Sequence, residues 1–299
     1  MKKWLVISGL LLASIALFIW INNKWITVSE YTITSPDIPK AFIGARIVHI
    51  SDLQRTTFGE EQSPILKKVA GAEPDLIFVT GDLVDSDSYQ LEPVLTLVNG
   101  LKEIAEVYFV TGNQEISKGR SEEVLFALKE TGITILENEM VDWTLDGETI
   151  YIAGIHDPLM SASNHSSMKD STIHDPLMSY SERMDNYVQK SLNEIPFTGT
   201  FTLLLTHRPE LIDIYAESEA DVVFSGHAHG GQIRIPGIGG LFAPGQGVFP
   251  DLTQGVHEFG GAQLVITRGL GNSSFPLRIN NRPEVVVVTL KNKEVHVID

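Results

Sequence analysis

Short apolar runs recur along the chain beyond residue 41, and the first three of them occupy residues 46–50, 76–80 and 107–111. None of these runs alternates with polar residues, so the pattern predicts strands that are covered on both faces. Stretches of helical character lie between them, near residues 63–72 and 91–103, and a further helix is expected from Ser121, as its N-cap, to about Gly132. Strands that alternate with helices predict an α/β fold.

A second group of strands is predicted in the other half of the chain. The dipeptide Asp146-Gly147 separates two β-rich segments, residues 140–145 and 149–153, which is typical of a tight hairpin. Further apolar runs occupy residues 201–205, 222–224, 264–267 and 285–290. We therefore predict a four-layer α/β/β/α sandwich, in which two mixed sheets pack face to face with helices outside.

The N-terminus carries a different pattern, an uncharged apolar stretch at residues 4–21. As a helix it would be roughly 27 Å long, enough to cross a bilayer. Lys2 and Lys3 precede it and only Lys24 follows closely, so the positive-inside rule predicts a single-pass membrane protein with a cytoplasmic N-terminus and an extracytoplasmic domain. The chain then divides into an anchor (residues 1–24), a tether (25–41) and one domain (42–299).

A cleaved signal peptide is the alternative for this N-terminal segment. Ser14 and Ala16 have the spacing of small residues at a cleavage site. Cleavage there would leave residues 17–21 as an apolar end of the mature chain, so an uncleaved anchor is preferred.

Charge and composition exclude several classes of protein. The 299 residues include 38 acidic and 22 basic side chains, for a formal net charge of −16. Without a cluster of Lys and Arg to neutralise phosphates, the chain is not expected to bind nucleic acid. Cysteine is absent, which excludes disulfides and thiolate metal sites.

One short repeat interrupts the second half of the chain. The sequence IHDPLMS occupies residues 155–161 and again residues 173–179. It has two interpretations: a lid that carries His156, His165 or His174 toward a substrate, or a tandem duplication in a tolerant surface loop. The duplication is preferred, because surface loops accept insertions at little cost in free energy.

Five fragments place metal-capable side chains directly after apolar runs: SDLQ (51–54), GDLVD (81–85), GNQE (112–115), TH (206–207) and GHAH (226–229). Singly, Asp52 is more typical of a turn or helix cap than of a ligand, and Asp82, Asp85 and Asn113 could also be turn residues. The histidine pair His227 and His229, flanked by glycines, is a more specific metal pattern. Because strand ends converge where open α/β sheets place active sites, the conjunction predicts a two-metal hydrolase.

These motifs resemble those of the calcineurin-like metallophosphoesterase superfamily, whose pattern is D-x-H, G-D-x-x-D, G-N-H-[DE], a lone His and G-H-x-H. The likeness covers residues 47–290, and the segments around GGQIRIP (230–236) and RGLGNS (268–273) resemble its membrane-anchored or exported bacterial branch. The resemblance implies two sites for Mn²⁺, Fe²⁺ or Zn²⁺, ions that accept mixed nitrogen and oxygen ligands. The first site would comprise Asp52, Gln54, Asp82 and His229, and the second Asp82, Asn113, His207 and His227.

Two glutamines depart from the family pattern. Gln54 replaces a metal-ligating histidine, so the first site is expected to bind metal weakly. Gln114 replaces the histidine that assists the leaving group, and an amide has no proton to transfer near neutral pH. Asp85 is expected to orient the Gln114 side chain by a hydrogen bond.

Three hypotheses about function follow. The preferred one is a divalent-metal phosphoesterase, a phosphodiesterase or pyrophosphatase that uses a metal-bridging hydroxide on a membrane or cell-envelope phosphoester, which could be lipid-linked. The second is a catalytically impaired descendant that binds metal or phosphate, and the third keeps the fold without metal. Arg208, Arg234 and Arg268 lie in motif loops where a guanidinium could bind the substrate phosphate. The sequence does not fix the oligomeric state.

Overall fold

A computed structural model describes residues 2–162, 178–273 and 275–293. Within these residues the helices are α1 (Lys2–Lys24), α2 (Ser63–Ala70), α3 (Glu92–Lys102), α4 (Asn113–Ile116), α5 (Ser121–Glu130), α6 (Tyr180–Glu194) and α7 (Ile212–Tyr215). The first three predicted strands and the helices near them are present, with ends that differ from the prediction by at most two residues. Ser121 is the first residue of α5 rather than its N-cap, which is Arg120.

Two six-stranded mixed sheets form the centre of the domain. In order across the first sheet, the strands are β1 (Thr27–Ser35), β16 (Glu284–Asn292), β2 (Arg46–Ile50), β3 (Leu76–Val79), β4 (Glu106–Phe109) and β5 (Thr134–Ile135). The second sheet consists of β14 (Gly255–Phe259), β15 (Ala262–Ile266), β9 (Val222–Ser225), β8 (Thr202–Leu205), β7 (Glu148–Gly154) and β6 (Glu139–Leu145). Two small ribbons, β10 (Arg234–Ile235) with β11 (Gly239–Gly240) and β12 (Phe242–Ala243) with β13 (Gly247–Val248), follow β9.

The sheets pack face to face, and this confirms the predicted sandwich. Alternate residues of each central strand point to opposite sides. In β2, Ile47 belongs to the core between the sheets, whereas Val48 and Ile50 belong to the core under the helices. Phe78 of β3 and Phe224 of β9 meet edge to face, with ring centroids 5.0 Å apart, across the gap between the sheets. Both faces of the central strands are therefore buried, as their unbroken apolar sequence requires.

The segment predicted as a tether instead contributes β1 to the first sheet. Residues Thr27–Ser35 pair in parallel with Glu284–Asn292 at the sheet edge. Ile26, Ile33 and Ile38 around this strand are buried. The interval between residues 25 and 41 is thus part of the folded domain, because its own apolar side chains complete the core.

Helix α1 is long and apolar enough to cross a membrane, with a mean hydropathy of 2.4 in its most apolar window. Its C-terminal end packs directly on the domain. Asn22 is buried, and its side-chain oxygen accepts the N–H of Asn281 at 3.2 Å. The side-chain oxygen of Asn23 accepts the N–H of Arg278 at 2.9 Å, and Lys24 donates to the carbonyl of Thr57 at 2.8 Å. No free spacer separates helix and domain.

The predicted hairpin at Asp146-Gly147 is present between β6 and β7, with both turn residues at positive φ. The first copy of the IHDPLMS repeat follows β7. There His156 is buried, and its Nδ1 lies 3.0 Å from the hydroxyl of Thr111. Burial lowers the pKa of His156 to about 4, so this neutral side chain belongs to the core rather than to a lid. His165 and His174 lie outside the described residues.

Candidate active site

The metal-capable side chains meet where the two sheets present the C-terminal ends of their parallel strands. Asp52 follows β2, Asp82 follows β3 and Asn113 follows β4 in the first sheet. From the second sheet, His207 follows β8, and His227 with His229 follow β9. Each strand ends at the same edge of its sheet, so six residues that are far apart in sequence converge.

Two groups of potential ligands result, and they share one carboxylate. Asp52, Asp82 and His229 form one group, and Asp82, His207 and His227 form the other. Within each group the ligand atoms lie within 4.8 Å of one another, and all of these residues are buried. Asp82 is therefore the carboxylate common to both groups.

The ring orientation of two histidines suits metal binding. Nδ1 of His207 lies 2.7 Å from the carbonyl of Thr80, which can only accept, so this nitrogen carries the proton. Nδ1 of His229 faces the carbonyl of Gly271 at 3.4 Å. In both residues Nε2 is left to face a carboxylate, Asp82 for His207 and Asp52 for His229, each at 3.4 Å. A backbone carbonyl that fixes the tautomer is a common support for a metal-binding imidazole.

Eleven buried side-chain polar atoms have no hydrogen-bond partner among the described residues, and two of these atoms belong to predicted ligands of the second site. They are Oδ1 of Asn113 and Nε2 of His227. An unpaired buried polar atom is costly, and Oε1 of Glu210, at 3.7 Å from Nε2 of His227, is beyond hydrogen-bond distance, so both atoms suit a bound partner. A divalent cation with mixed oxygen and nitrogen ligands meets that need. The donor set present thus fits a metal at the second site.

The titration of these groups also points to a cation site. Burial lowers the pKa of His207, but the neighbouring Asp82 carboxylate outweighs burial and raises that pKa to about 10. Burial likewise raises the pKa of Asp82, and His207 outweighs it, so the net shift is downward. Burial and the charge of His207 hold the pKa of His227 well below its usual range. These shifts favour a protonated His207 beside an ionised Asp82, and a metal bound by His207 would displace that proton.

The backbone at the site is held in an unusual conformation. Five of the predicted ligands have positive φ: Asp52 (55°), Gln54 (49°), Asp82 (53°), His227 (62°) and His229 (47°). Left-handed backbone is uncommon outside glycine and is tolerated where the surroundings enforce it. Gly226 allows the close approach, because a Cβ there would collide with the side chains of Ser51 and Asp52. The amide N–H of His227 in turn donates to both oxygens of Asp52, at 3.2 and 3.1 Å.

The part of the chain that builds this site matches a known protein family. The calcineurin-like phosphoesterase family model matches residues 45–231, which include every predicted metal ligand. The chain belongs to this family. The match begins just before β2 and ends just after His229.

Several relatives of this calcineurin-like phosphoesterase are known. The metallophosphoesterase YkuE of Bacillus subtilis is 28% identical over 278 residues, which cover 91% of this chain and 88% of YkuE. The phosphodiesterase YaeI of Escherichia coli is 26% identical over 221 residues, 73% of this chain and 71% of YaeI. A dimetal phosphatase from Danio rerio aligns structurally with a TM-score of 0.45 at 11% identity, covering 83% of this chain and 99% of that one.

Gln54 of this phosphoesterase lies within the first group of ligands. Its amide nitrogen is 3.5 Å from Oδ2 of Asp82 and 3.2 Å from Nε2 of His229. The side-chain N–H groups of Gln54 thus face Asp82 and His229, two of the predicted ligands of the first metal site. A half-turn of the amide would bring its oxygen to the same place, where it could act as a ligand. The role of Gln54 as a poor first-site ligand stays a prediction.

We expect this arrangement to make the two sites unequal. On titration with Mn²⁺, one ion should remain bound after dialysis and a second should need excess metal, because a neutral amide is a poorer donor than imidazole. Gln54→His should tighten the weak site by at least about tenfold and leave the strong site unchanged. Isothermal titration of the metal-stripped chain measures both affinities. Two equally tight sites in the natural protein, unaffected by Gln54→His, would contradict the role of Gln54.

Gln114 is not oriented by Asp85, contrary to the prediction. The side-chain oxygen of Gln114 instead accepts the N–H of Ser86 at 3.0 Å. Asp85 accepts the N–H groups of Asp87 and Ser88, both at 2.8 Å. An aspartate that closes its own turn in this way is the common role of the residue in loops. The backbone N–H of Gln114 does support the site, since it donates to Asp82 at 2.8 Å.

Glu115 is a functional residue to which the sequence analysis assigned no role. Its fully buried carboxylate accepts four backbone N–H groups, from Asp82 (2.8 Å), Leu83 (2.7 Å), Val84 (3.2 Å) and Gly112 (2.8 Å). Burial, together with the charge of Asp82, raises the pKa of Glu115 to about 7. The carboxylate joins the loops after β3 and β4. The acidic fourth position of the GNQE motif was the available sequence signal.

Replacing Glu115 by glutamine should therefore destabilise the fold. The side-chain amide group of glutamine would face backbone N–H groups that now donate to a carboxylate oxygen. We expect a loss of about 2 kcal/mol or more in the free energy of unfolding at pH 8, because each unpaired buried donor costs ~1–3 kcal/mol. Denaturant titration followed by circular dichroism measures the loss. Glu130→Gln, at an exposed position on α5, is the matched control and should have no effect.

The three arginines predicted to bind substrate are all engaged within the protein. Arg208 is buried and donates two hydrogen bonds to Asp157, from Nε to Oδ2 at 2.6 Å and from Nη2 to Oδ1 at 3.2 Å. Arg234 donates to the carbonyl of Gly230, and Arg268 donates to Glu284, each at 2.8 Å. These contacts position loops, so the structure favours a supporting role for the three guanidinium groups.

A cavity of about 570 Å³ opens beside the second group of ligands. Asn113 and His227 line its inner end, and Arg208 lines one wall. The rest of the lining includes Tyr180, Leu211 and Pro244 together with the carboxylates of Asp185 and Glu210. The cavity has the size of a small-molecule site and leads to the potential metal ligands, so it is the candidate entrance for substrate.

Proposed function

We propose that this phosphoesterase is a two-metal phosphodiesterase or pyrophosphatase that acts on a phosphoester of a membrane or cell envelope. The shared carboxylate of Asp82, between two buried groups of ligands, is the observation that carries the proposal. Family membership supports hydrolysis of phosphoesters in general. The name of the relative YaeI as a phosphodiesterase favours the diester class.

The predicted ligands would hold two metal ions, and neighbouring groups would keep these ligands in position. Asp52, Gln54, Asp82 and His229 would hold one divalent ion, and Asp82, Asn113, His207 and His227 the other. When bound, the two ions would supply a hydroxide nucleophile at neutral pH and neutralise charge on the transferring phosphorus group. Thr80 and Gly271 fix the histidine rings through their carbonyls. Glu115 and the N–H of Gln114 hold the Asp82 loop in place.

We also propose that α1 anchors the domain to the outer side of a membrane. Helix α1 would cross the membrane with Lys2 and Lys3 on the cytoplasmic side, and the domain would lie outside. Trp20 and Trp25, which are exposed and in edge contact with ring centroids 6.4 Å apart, mark the end of the apolar stretch. Aromatic residues of this kind are typical of the membrane–water interface. An extracytoplasmic domain so close to a bilayer favours a lipid-linked substrate.

A specific observation favours a second candidate, a metal- or phosphate-binding descendant with impaired catalysis. The side-chain oxygen of Gln114 accepts the N–H of Ser86. The amide of Gln114 cannot supply a proton to a leaving group. The amide of Gln54 donates to Asp82 and His229 in the place of a ligand.

One assay separates these two candidates. The purified full-length chain, supplied with Mn²⁺, should hydrolyse bis-p-nitrophenyl phosphate, whose leaving group hardly needs a proton, and should barely hydrolyse an alkyl diester. A chelator should abolish the reaction. Binding of two metals without any metal-dependent hydrolysis of the activated diester would favour the binding protein over the enzyme.

A further inference from the structure

A second concave surface lies next to the active-site cavity and is almost entirely apolar. This groove, of about 390 Å³, is lined by side chains that include Ile233, Leu241, Phe242, Pro244 and Phe275. Phe242 and Phe275 are 52% and 47% exposed. Two large aromatic side chains beside an apolar groove are exposed to water. Exposed apolar patches of this kind are typical of binding surfaces.

The groove adjoins the active-site cavity. Pro244 lines both the groove and the cavity that leads to Asn113 and His227. A ligand with a polar end in the cavity could therefore extend an apolar end past Pro244 without leaving the protein surface. No lysine or arginine lines the groove among the described residues, so an extended charged ligand has no counter-ion there.

The groove also lies close to the end of α1. The loop that carries Phe275 is held from one side by Asn23, whose side-chain oxygen accepts the N–H of Arg278 at 2.9 Å. From the other side, the side chain of Gln232 donates to the carbonyls of Phe275 and Leu277, at 2.9 and 2.8 Å. One loop thus connects the exit of the apolar helix to the groove. A bilayer crossed by α1 would lie beside the groove.

We propose that the groove binds one hydrocarbon chain of the substrate while the phosphoester reaches the metal ligands. This inference rests on the proposed hydrolase and on its membrane location. It names the substrate class as an amphipathic phosphoester, a phosphodiester attached to an alkyl, acyl or isoprenoid chain. The chain would lie along Leu241, Phe242 and Phe275, and Pro244 would mark the boundary between its apolar and polar parts.

The test uses the full-length chain in lipid nanodiscs with Mn²⁺ and two probes that share one leaving group, p-nitrophenyl methyl phosphate and p-nitrophenyl octyl phosphate. The octyl ester should have a kcat/KM at least ~30-fold higher, the gain expected from burial of about three methylene groups. Phe275→Ser should reduce this ratio severalfold. Phe126→Ser, at a 67% exposed apolar position on α5, is the matched control and should keep the full ratio.

A second measurement does not depend on turnover. Octyl phosphate that carries a diazirine at the end of its chain should cross-link, on illumination, to residues 241–244 and 275. Cross-linking there without hydrolysis of either ester would support the groove and reject the proposed enzyme. Hydrolysis of both esters with equal kcat/KM and no cross-link at these residues would reject the groove and keep the enzyme. A change of oligomeric state in Phe275→Ser, with an unchanged ratio, would assign the groove to a second copy of the chain and also overturn the proposal.

Discussion

Asp82→Asn is expected to abolish metal-dependent hydrolysis. Asparagine keeps the shape of the side chain and can still accept the N–H of Gln114, so the loop should remain folded. It removes the one negative charge that both groups of ligands share. We expect the rate on bis-p-nitrophenyl phosphate to fall by at least ~10³-fold, because the metals lower the pKa of water from about 15.7 toward 7 only when they are bound.

The measurement combines metal analysis with kinetics. Mass spectrometry of the dialysed variant should find less than one tightly bound ion per chain. Asp87→Asn is the matched control, since Asp87 lies in the same loop with 79% of its side chain exposed and pairs with Lys118. The control should keep the metal and the rate. A substantial metal-dependent rate in Asp82→Asn would show that the two ions, if present, are not joined by this carboxylate.

Gln114→His is expected to act in the opposite direction and to restore a proton donor. General acid catalysis is worth ~10²–10⁴-fold, and we expect a gain of up to ~10²-fold on an alkyl diester. The gain should be small on the activated diester, whose leaving group needs little protonation. The alkyl rate should also acquire a new dependence on pH and decline above the pKa of the introduced imidazole, near 6.5 if that pKa is unperturbed.

The contact of Gln114 with Ser86 limits the size of this gain. A histidine that accepts the N–H of Ser86 would hold one ring nitrogen unprotonated, whereas a histidine turned toward Asp85 would donate to it. Gln114→Asn is the matched control, because it shortens the side chain and adds no acid. An equal increase on both diesters, or the same increase in Gln114→Asn, would show that the substitution acts through the loop and not through a proton.

Most of the fold could be predicted because the sequence pattern of each central strand is local. Each central strand is buried on both faces, so its sequence is apolar throughout, and the polar side chains at its end mark the edge of the sheet. Strand Thr27–Ser35 was missed for a physical reason. It lies at the sheet edge with its residues alternately half-exposed, and its partner Glu284–Asn292 is some 250 residues away in sequence.

The candidate site also has one part that the sequence predicts and another part that it does not. The residues predicted as metal ligands converge because strand ends dictate their positions. The roles of Glu115, Arg208 and Asp85 depend on partners that a linear pattern does not display. Arg208 binds Asp157, and Glu115 binds N–H groups from a loop about 30 residues earlier. Sequence spacing identifies which side chains have suitable chemistry, and only the fold decides which of them are already engaged.

The direct packing of α1 on the domain would affect how the enzyme encounters its substrate. With Asn22 and Asn23 bonded to Asn281 and Arg278, a membrane-embedded α1 would hold the catalytic opening at a nearly fixed height above the lipid surface. The enzyme would then search for substrate in two dimensions. Its rate would follow the mole fraction of substrate in the membrane and be diluted by inert lipid, while the bulk concentration of a water-soluble ester would matter little.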